Sequence, residues 1–439
     1  MDNSSVQKAQ NIRDVIRYLQ KFKNALVVIY LDDKIINSPL FSSHIRDIAL
    51  LHKAGLKVVI IPGAKQRIDQ VLQDAKIQWN YKDNIRVTNQ EAMPLIKMAA
   101  FDVSNIVMTS LAANNITAVI GNWVRSRAKG ILEGYDFGTA GEIEKLEVNA
   151  IQTVLEHGFI PIFPCIGWNS TGHPYNISSA ELSQQVAINL KADKLFFVMK
   201  DGGIDSSRYF IPENFALSDS GEVPAMNLEE VEIFLKKNIH KNETVEKILA
   251  LAKTACNNGV TRVHILNGEI DGVLPCEIFS DLGSGTMIYS NDYGKIRNME
   301  RTDIPAILSI MNPFIQNGKL LPRSEKQLEE SMQDFIVYEL DGGVHACACL
   351  HFYDKKQAEI SAVAVDENFS HMGIGPKIIE HLISKAKKEK IKSVFIMTTQ
   401  ASDWFEKLGF TEDKIESIPE ERKKIWTPQR NSKVFRLNF

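Results

Sequence analysis

Two short runs, Leu26-Val27-Val28-Ile29-Tyr30 and Val58-Val59-Ile60-Ile61 after Lys57, are apolar at every position and rich in β-branched residues. A strand that is apolar on both faces must be covered on both, and a helix joining two such strands makes the parallel crossover that supplies the cover. Helical spacing over 44–54, closed by Gly55 as a C-terminal cap, lies between them. The alternation continues, with strands expected at 117–120, 159–163, 194–199 and 262–266 and helices at 90–113, 146–157, 179–191 and 243–258. The expectation is an α/β fold whose first part is an αβα sandwich around a mostly parallel sheet.

Ahead of this alternation, Ile12, Val15, Ile16, Leu19 and Phe22 recur at helical spacing, so residues 5–22 read as an amphipathic helix outside the first core. Its apolar face would pack on its own domain or on another subunit. The pattern changes at Tyr289-Ser290-Asn291-Asp292-Tyr293-Gly294, a polar, turn-rich stretch. Beyond it helices are expected at 303–311, 324–333, 376–390 and 401–408, and strands at 334–339, 344–352, 357–365 and 392–398, an α+β arrangement. The expected boundaries are 1–23 for the helix, 24–289 for the first domain, 290–296 for a linker and 297–439 for the second domain.

Lys plus Arg number 51 against 54 Asp plus Glu, a net charge of −3, which gives no basic excess for nucleic acid or an anionic membrane. No apolar run approaches the roughly 18–20 residues of a membrane span. The N-terminus carries no apolar signal segment, so a soluble, cytoplasmic chain is expected. The five cysteines, Cys165, Cys256, Cys276, Cys347 and Cys349, form no Cys-x-x-Cys pair. That argues against a disulfide scaffold or a zinc site, and no metal is expected.

The stretch from Glu359 to Phe410 carries chemistry. A strand, Glu359-Ile360-Ser361-Ala362-Val363-Ala364-Val365, leads through a polar connection to Ser370-His371-Met372-Gly373-Ile374-Gly375-Pro376 and then to a helix with the stripe Ile378, Ile379, Leu382, Ile383 and Ala386. Two glycines would let backbone approach a ligand, Pro376 suits a first helical position, and the helix start offers N–H groups and a positive dipole end to an anion such as a pyrophosphate. Glu359 is a charged residue in an apolar strand, on the same side as Ser361 and Val363 by alternation. Read from the residues alone, it is either a general base or a charge at an exposed strand end. Arg323 and Arg430 are either carboxylate clamps or solvated charges.

This second domain resembles the GNAT acetyltransferase superfamily over roughly 295–439. The resemblance makes the glycine loop its pyrophosphate loop for coenzyme A and implies acetyl-CoA contacts at Val363, Ala364, Val365, His371, Met372, Gly373, Ile374, Gly375 and Pro376. The loop departs from the family at Ser370, where Gln or Arg is usual. Leu321-Pro322-Arg323-Ser324, the Glu359 strand, Met397-Thr398-Thr399 and Gln429-Arg430-Asn431-Ser432-Lys433-Val434 are similar to the bacterial two-domain N-acetylglutamate synthases. That family makes N-acetyl-L-glutamate and CoA from acetyl-CoA and L-glutamate at the first step of arginine biosynthesis. The resemblance implies Glu359 as the base and Thr398 as the hydroxyl beside the leaving sulfur. It implies substrate contacts at Leu321, Arg323, Ala362, Arg430 and Ser432. Many relatives carry Tyr where this chain has Phe405.

Residues 24–289 resemble the amino-acid kinase family through Ile60-Ile61-Pro62-Gly63-Ala64, Asn84-Ile85-Arg86-Val87-Thr88, Ala192-Asp193-Lys194-Leu195, Gly259 to Leu266 and Gly283-Ser284-Gly285-Thr286. Active members end the first strand with a Lys-x-Gly-Gly segment. Here Asp32-Asp33 stand in its place and would repel phosphate, so phosphoryl transfer is not expected. In arginine-sensitive relatives this domain binds arginine. The resemblance implies an L-arginine effector site at Lys247, His264, Glu277, Gly283, Gly285 and Thr286, and a ring-forming role for the N-terminal helix in a homo-oligomer, up to a hexameric ring. The function expected is therefore a glutamate N-acetyltransferase regulated by arginine. The alternatives are a non-catalytic arginine sensor and an N-acetylglutamate kinase.

Overall fold

The computed structural model describes residues 22–213, 215, 217–218, 220–239, 242–279, 284–290, 294–340, 343–353, 356–424, 426, 430 and 432–439. The amphipathic helix expected over 5–22 lies outside them except for Phe22. The chain divides into two compact units, at 291/292.

In the first unit eight strands form one sheet, in the order Ala225–Asn227, Gly285–Tyr289, Arg262–Asn267, Lys194–Met199, Leu26–Leu31, Lys57–Pro62, Ile160–Ile162 and Ala118–Ile120. All neighbours run parallel except Arg262–Asn267 with Gly285–Tyr289. The central strands are buried along almost their whole length, as their unbroken apolar runs require. The long helix Met93–Ala112 lays Ile96, Ala99, Ala100, Val103, Val107 and Leu111 into this core. A second, four-stranded sheet, Pro174–Asn176, Ile166–Trp168, Val124–Ala128 and Gly141–Leu146, is not anticipated by the sequence reading.

The second unit is a seven-stranded sheet in the order Lys295–Asn298, Phe335–Leu340, Gly343–Phe352, Gln357–Val365, Ser393–Thr398, Lys433–Asn438, Thr411–Asp413. Every neighbouring pair is antiparallel except Gln357–Val365 with Ser393–Thr398. Helix Ile374–Lys388 covers one face through Ile378, Ile379, Leu382 and Ala386. Helix Ile304–Gln316 covers the other through Ile304, Ile307, Ile310 and Met311.

Candidate active site

Among the described residues, the only parallel pairing in the second unit's sheet is brief. It joins Gln357 to Ser393, Ala358 to Val394 and Glu359 to Phe395, and then stops. Strand Gln357–Val365 goes on pairing with Gly343–Phe352 as far as Val365, and Ser393–Thr398 goes on pairing with Lys433–Asn438 as far as Thr398. The two facing edges therefore part beyond Glu359 and open a wedge. One wall carries those backbone N–H and C=O groups of 360–365 that point away from Gly343–Phe352, and such groups strongly need partners. Glu359 sits at the apex.

A bulge shapes that wall. Cys349 pairs with Ser361 but Cys347 with Ala364, so Ala362 and Val363 together oppose Ala348. Ala362 takes up the extra residue at φ 52°, in the left-handed region. The bulge reverses the side-chain parity. Ala358 and Ile360 face the core under helix Ile374–Lys388, and after the bulge so do Val363 and Val365, while Ala362 and Ala364 face the opposite core. Alternation put Glu359, Ser361 and Val363 on one side; the bulge corrects this, leaving Ser361 with Glu359 and turning Val363 away.

Glu359 is 5% exposed. Its carboxylate accepts from Arg422 Nε at 3.0 Å on Oε1 and 2.8 Å on Oε2, and from the Tyr353 hydroxyl at 2.8 Å on Oε2. Neither partner was singled out from the sequence. Arg422 stands in the charged run Glu420-Glu421-Arg422-Lys423-Lys424, which reads as a solvated face. Arg323 Nη2 donates to Ser361 Oγ at 3.3 Å, and its guanidinium lies 5.2 Å over the Phe335 ring. This sets one expected clamp beside the strand that carries Glu359. Arg430 Nη2 donates to the Lys319 carbonyl at 3.0 Å, which ties it to the segment holding the exposed Leu321. Ser432 adjoins Lys433, the register partner of Thr398. The Thr398 hydroxyl oxygen accepts from Ala401 N at 3.0 Å and Gln400 N at 3.4 Å, so its proton is left to donate. Phe405 is core, packed edge-on against Phe410.

The glycine turn divides its labour. Gly373 caps helix Ile374–Lys388 at φ 63°, a left-handed conformation suited to glycine. Gly375 is buried, and a Cβ there would stand 3.1 Å from Trp404 Cζ2. Its missing side chain thus makes room for an indole. Pro376 occupies the third helical position, a correction to the first-position reading, and its missing N–H is still among the orphan donors of a helix start. The side chains of His371 and Met372 lie outside the described residues. The unpaired edge and this helix start are suited to an extended amide chain ending in a pyrophosphate. Cys347 and Cys349 supply no nucleophile, because burial pushes their thiols up to about 12 and about 11.

In the first unit, the expected effector residues divide. His264 Nδ1 and Glu277 Oε1 are 2.5 Å apart, and Ser284 N donates to Glu277 Oε2 at 2.5 Å. Burial lowers the His264 imidazole to about 4, so it is neutral at pH 7 and donates Nδ1–H to the carboxylate. Glu277 stays ionised although burial opposes it, held by His264 and the Ser284 N–H. Lys194, a lysine in the otherwise apolar strand Lys194–Met199, adds a positive charge that acts on both. The sequence reading assigned it no role. Thr286 Oγ1 donates to Val223 O at 2.8 Å and accepts from Ile204 N at 2.9 Å. With Gly285 it lines a cavity of about 210 Å³. Lys247 stands apart from this group, paired with Glu181 at 2.6 Å in another cavity of about 260 Å³. Gly283 lies outside the described residues.

That larger cavity is also lined by Tyr30, Asp32, Asp33 and Gly63. Asp33 Oδ2 accepts the Gln66 N–H at 2.5 Å, at the start of helix Lys65–Asp74. A carboxylate of the chain itself thus occupies an anion-binding helix start. Asp32 is pushed up to about 6 by burial and by the neighbouring charge of Asp33. A carboxyl raised in the fold favours the native state at low pH and loses that contribution as pH rises through about 6. Asp32→Asn is therefore expected to stabilise the protein by about 1–3 kcal/mol at pH 7.5, a gain that fades as pH falls through 6 towards 4. Thermal melts of both proteins across this range check it. Taking the difference between them removes the opposite trend of His264, which costs both proteins stability as pH falls from 6.5 towards 4.

Residues 7–267 match the amino acid kinase family and residues 304–410 the acetyltransferase (GNAT) family. The amino-acid acetyltransferase of Photobacterium profundum is 33% identical, with 99% of each chain covered. That of Escherichia coli (strain K12) is 31% identical, with 97% of this chain and 96% of the relative covered. Among solved structures, N-acetylglutamate synthase from Neisseria gonorrhoeae complexed with coenzyme A and L-arginine is 26% identical. It superposes with a TM-score of 0.80, covering 98% of this chain and 99% of that one. The same enzyme complexed with coenzyme A and N-acetyl-glutamate gives 27% identity and a TM-score of 0.62, with the same coverage.

Proposed function

We propose, starting from the fact that this chain belongs to the amino-acid acetyltransferase family, that it transfers the acetyl group of acetyl-CoA to the α-amine of L-glutamate. The products are N-acetyl-L-glutamate and CoA. The observation that carries this reading is the buried carboxylate of Glu359 at the apex of the wedge between two parting strands.

An ammonium has no lone pair, so the amine must lose a proton before it attacks the thioester. Glu359, directly or through one water, takes that proton. The nitrogen adds to the carbonyl carbon, the C–S bond breaks, and the departing sulfur is met by the Thr398 hydroxyl, whose oxygen is already engaged by Ala401 N. Arg323, beside Ser361, and Arg430 each take one substrate carboxylate, in the bidentate way a guanidinium allows. The backbone edge of 363–365 and the turn at Gly373–Pro376 receive the coenzyme A portion of the co-substrate. Direct acyl transfer needs no metal.

The first unit acts as a sensor. L-Arginine binds at Glu277, His264 and Lys194, its guanidinium on the Glu277 carboxylate. Phosphoryl transfer is disfavoured because Asp33 fills the helix start that would face a phosphate. The enzyme works in the cytoplasm and as a homo-oligomer joined through its N-terminal segment. Light scattering of the full chain against one lacking residues 1–21 tests the last point.

One assay separates the readings. Thiol release from acetyl-CoA is measured with L-glutamate, with and without L-arginine, alongside ADP release from ATP. Glutamate-dependent thiol release without ADP release is expected. ADP release without thiol release would reverse the assignment in favour of a kinase.

A further inference from the structure

We infer that Arg422 is a positioning residue for acetyl transfer, and that with Tyr353 it leaves Glu359 Oε1 as the oxygen that takes the proton. The inference rests on the acetyl-transfer reading above and adds to it a residue and an atom.

A buried carboxylate is stable only when it is paired and hydrogen-bonded, and a glutamate side chain is long enough to swing. Arg422 answers both needs. Its Nε donates to both carboxylate oxygens, at 3.0 and 2.8 Å, which fixes the plane of the group. Arg422 is itself largely buried, with its side chain 15% exposed, so solvent screens the pair less than it would at the surface. Tyr353 adds a second donor, 2.8 Å from Oε2. Its ring is held in place against Phe395, centroids 6.0 Å apart, and edge-on to His351 at 4.6 Å.

The donors are distributed unequally. Each carboxylate oxygen offers about two acceptor positions. Among the described residues Oε2 accepts two hydrogen bonds and Oε1 one. Oε1 therefore keeps an acceptor position for the amine or its bridging water. The proton passes from the substrate ammonium to Oε1, leaving a neutral carboxylic acid and a neutral amine. The amine forms the new C–N bond as the C–S bond breaks, the sulfur leaves with the electron pair, and the second N–H proton passes to that sulfur, giving the amide and the free CoA thiol. Glu359 passes its proton to water before the next turnover.

The test is a double-mutant cycle on the full-length enzyme, read as kcat and as KM for each substrate. Arg422→Gln is expected to lower kcat about 10- to 100-fold, the scale for losing a group that orients a catalytic one, while KM for acetyl-CoA stays within about twofold. Arg422→Lys, which keeps the charge but loses the planar guanidinium and its shared Nε–H, should recover part of that loss. In a Glu359→Gln background the same Arg422→Gln change should cost less than about threefold, because the group it positions is gone. An Arg422→Gln enzyme at full rate overturns the inference, and so does a loss that persists undiminished beside Glu359→Gln. If Arg422→Gln does not fold, the cycle is run with Arg422→Lys, judged in the same way. Wild-type enzyme that releases no thiol with glutamate would instead remove the acetyl-transfer reading itself.

Discussion

Glu359→Gln is expected to lower kcat for acetyl transfer by about 10²–10⁴, the range for removing a positioned general base. Glutamine is nearly isosteric with glutamate, so Tyr353 and Arg422 keep an acceptor of similar shape where the carboxylate stood. The loss should fall on kcat and leave KM for acetyl-CoA nearly constant, because the residues proposed to receive coenzyme A lie at and beyond the bulge. Steady-state kinetics at saturating glutamate, with circular dichroism to establish that the variant is folded, measure this. A loss below threefold would remove Glu359 from the role of base. Raising the pH supplies more neutral amine without help from the protein. The variant should therefore regain rate on the alkaline side more steeply than the wild type.

The second large effect concerns the first unit. Glu277→Gln is expected to weaken L-arginine binding about 100-fold, within the 2–5 kcal/mol cost of removing one partner of a buried charge pair. The structure guides the choice of substitution. Glu277 is one of the two partners of a buried pair with His264 and also receives the Ser284 N–H, so alanine would strand two buried donors. Glutamine keeps an oxygen for Ser284 and removes the charge, while its amide N–H faces His264 Nδ1, which the imidazole meets by taking its other tautomer. Calorimetric titration of arginine into both proteins gives the affinities. The arginine response of turnover is read for each protein against its own rate without arginine. Equal affinities would exclude Glu277 as the guanidinium partner.

Much of the architecture is legible in the sequence because burial on both faces leaves a strong signature. Leu26–Leu31, Lys57–Pro62 and Lys194–Met199 are nearly unbroken apolar runs, and each is a strand of the first sheet. The small sheet is not legible. Val124–Ala128 and Gly141–Leu146 contribute Arg, Glu and Lys to exposed or half-buried positions. Helix Lys65–Asp74 escapes for a related reason, since it buries only Ile68, Val71 and Leu72. In the candidate site, Glu359 stands out as a charge in an apolar strand. A bulge inserts a residue that a period of two cannot register, so the direction of Val363 had to come from the structure. Arg422 is hidden among charges of both signs, where composition cannot tell a buried guanidinium from a solvated one. Lys194 had a signal available, because a lysine opening a fully buried strand asks for a partner.

Asp33 at the head of helix Lys65–Asp74 has a consequence for how the protein can be governed. Its carboxylate is tethered to the chain and accepts the Gln66 N–H that would otherwise be offered to a phosphate. On the proposed reading that this unit transfers no phosphoryl group, it has no fuel to burn and so no clock or ratchet. Whatever news it passes to its acetyl-transferring half must come from ligands that prefer one arrangement over another, and the passage must run equally well in both directions. Control of this kind is a dial set by concentration, turned back as soon as the ligand is diluted.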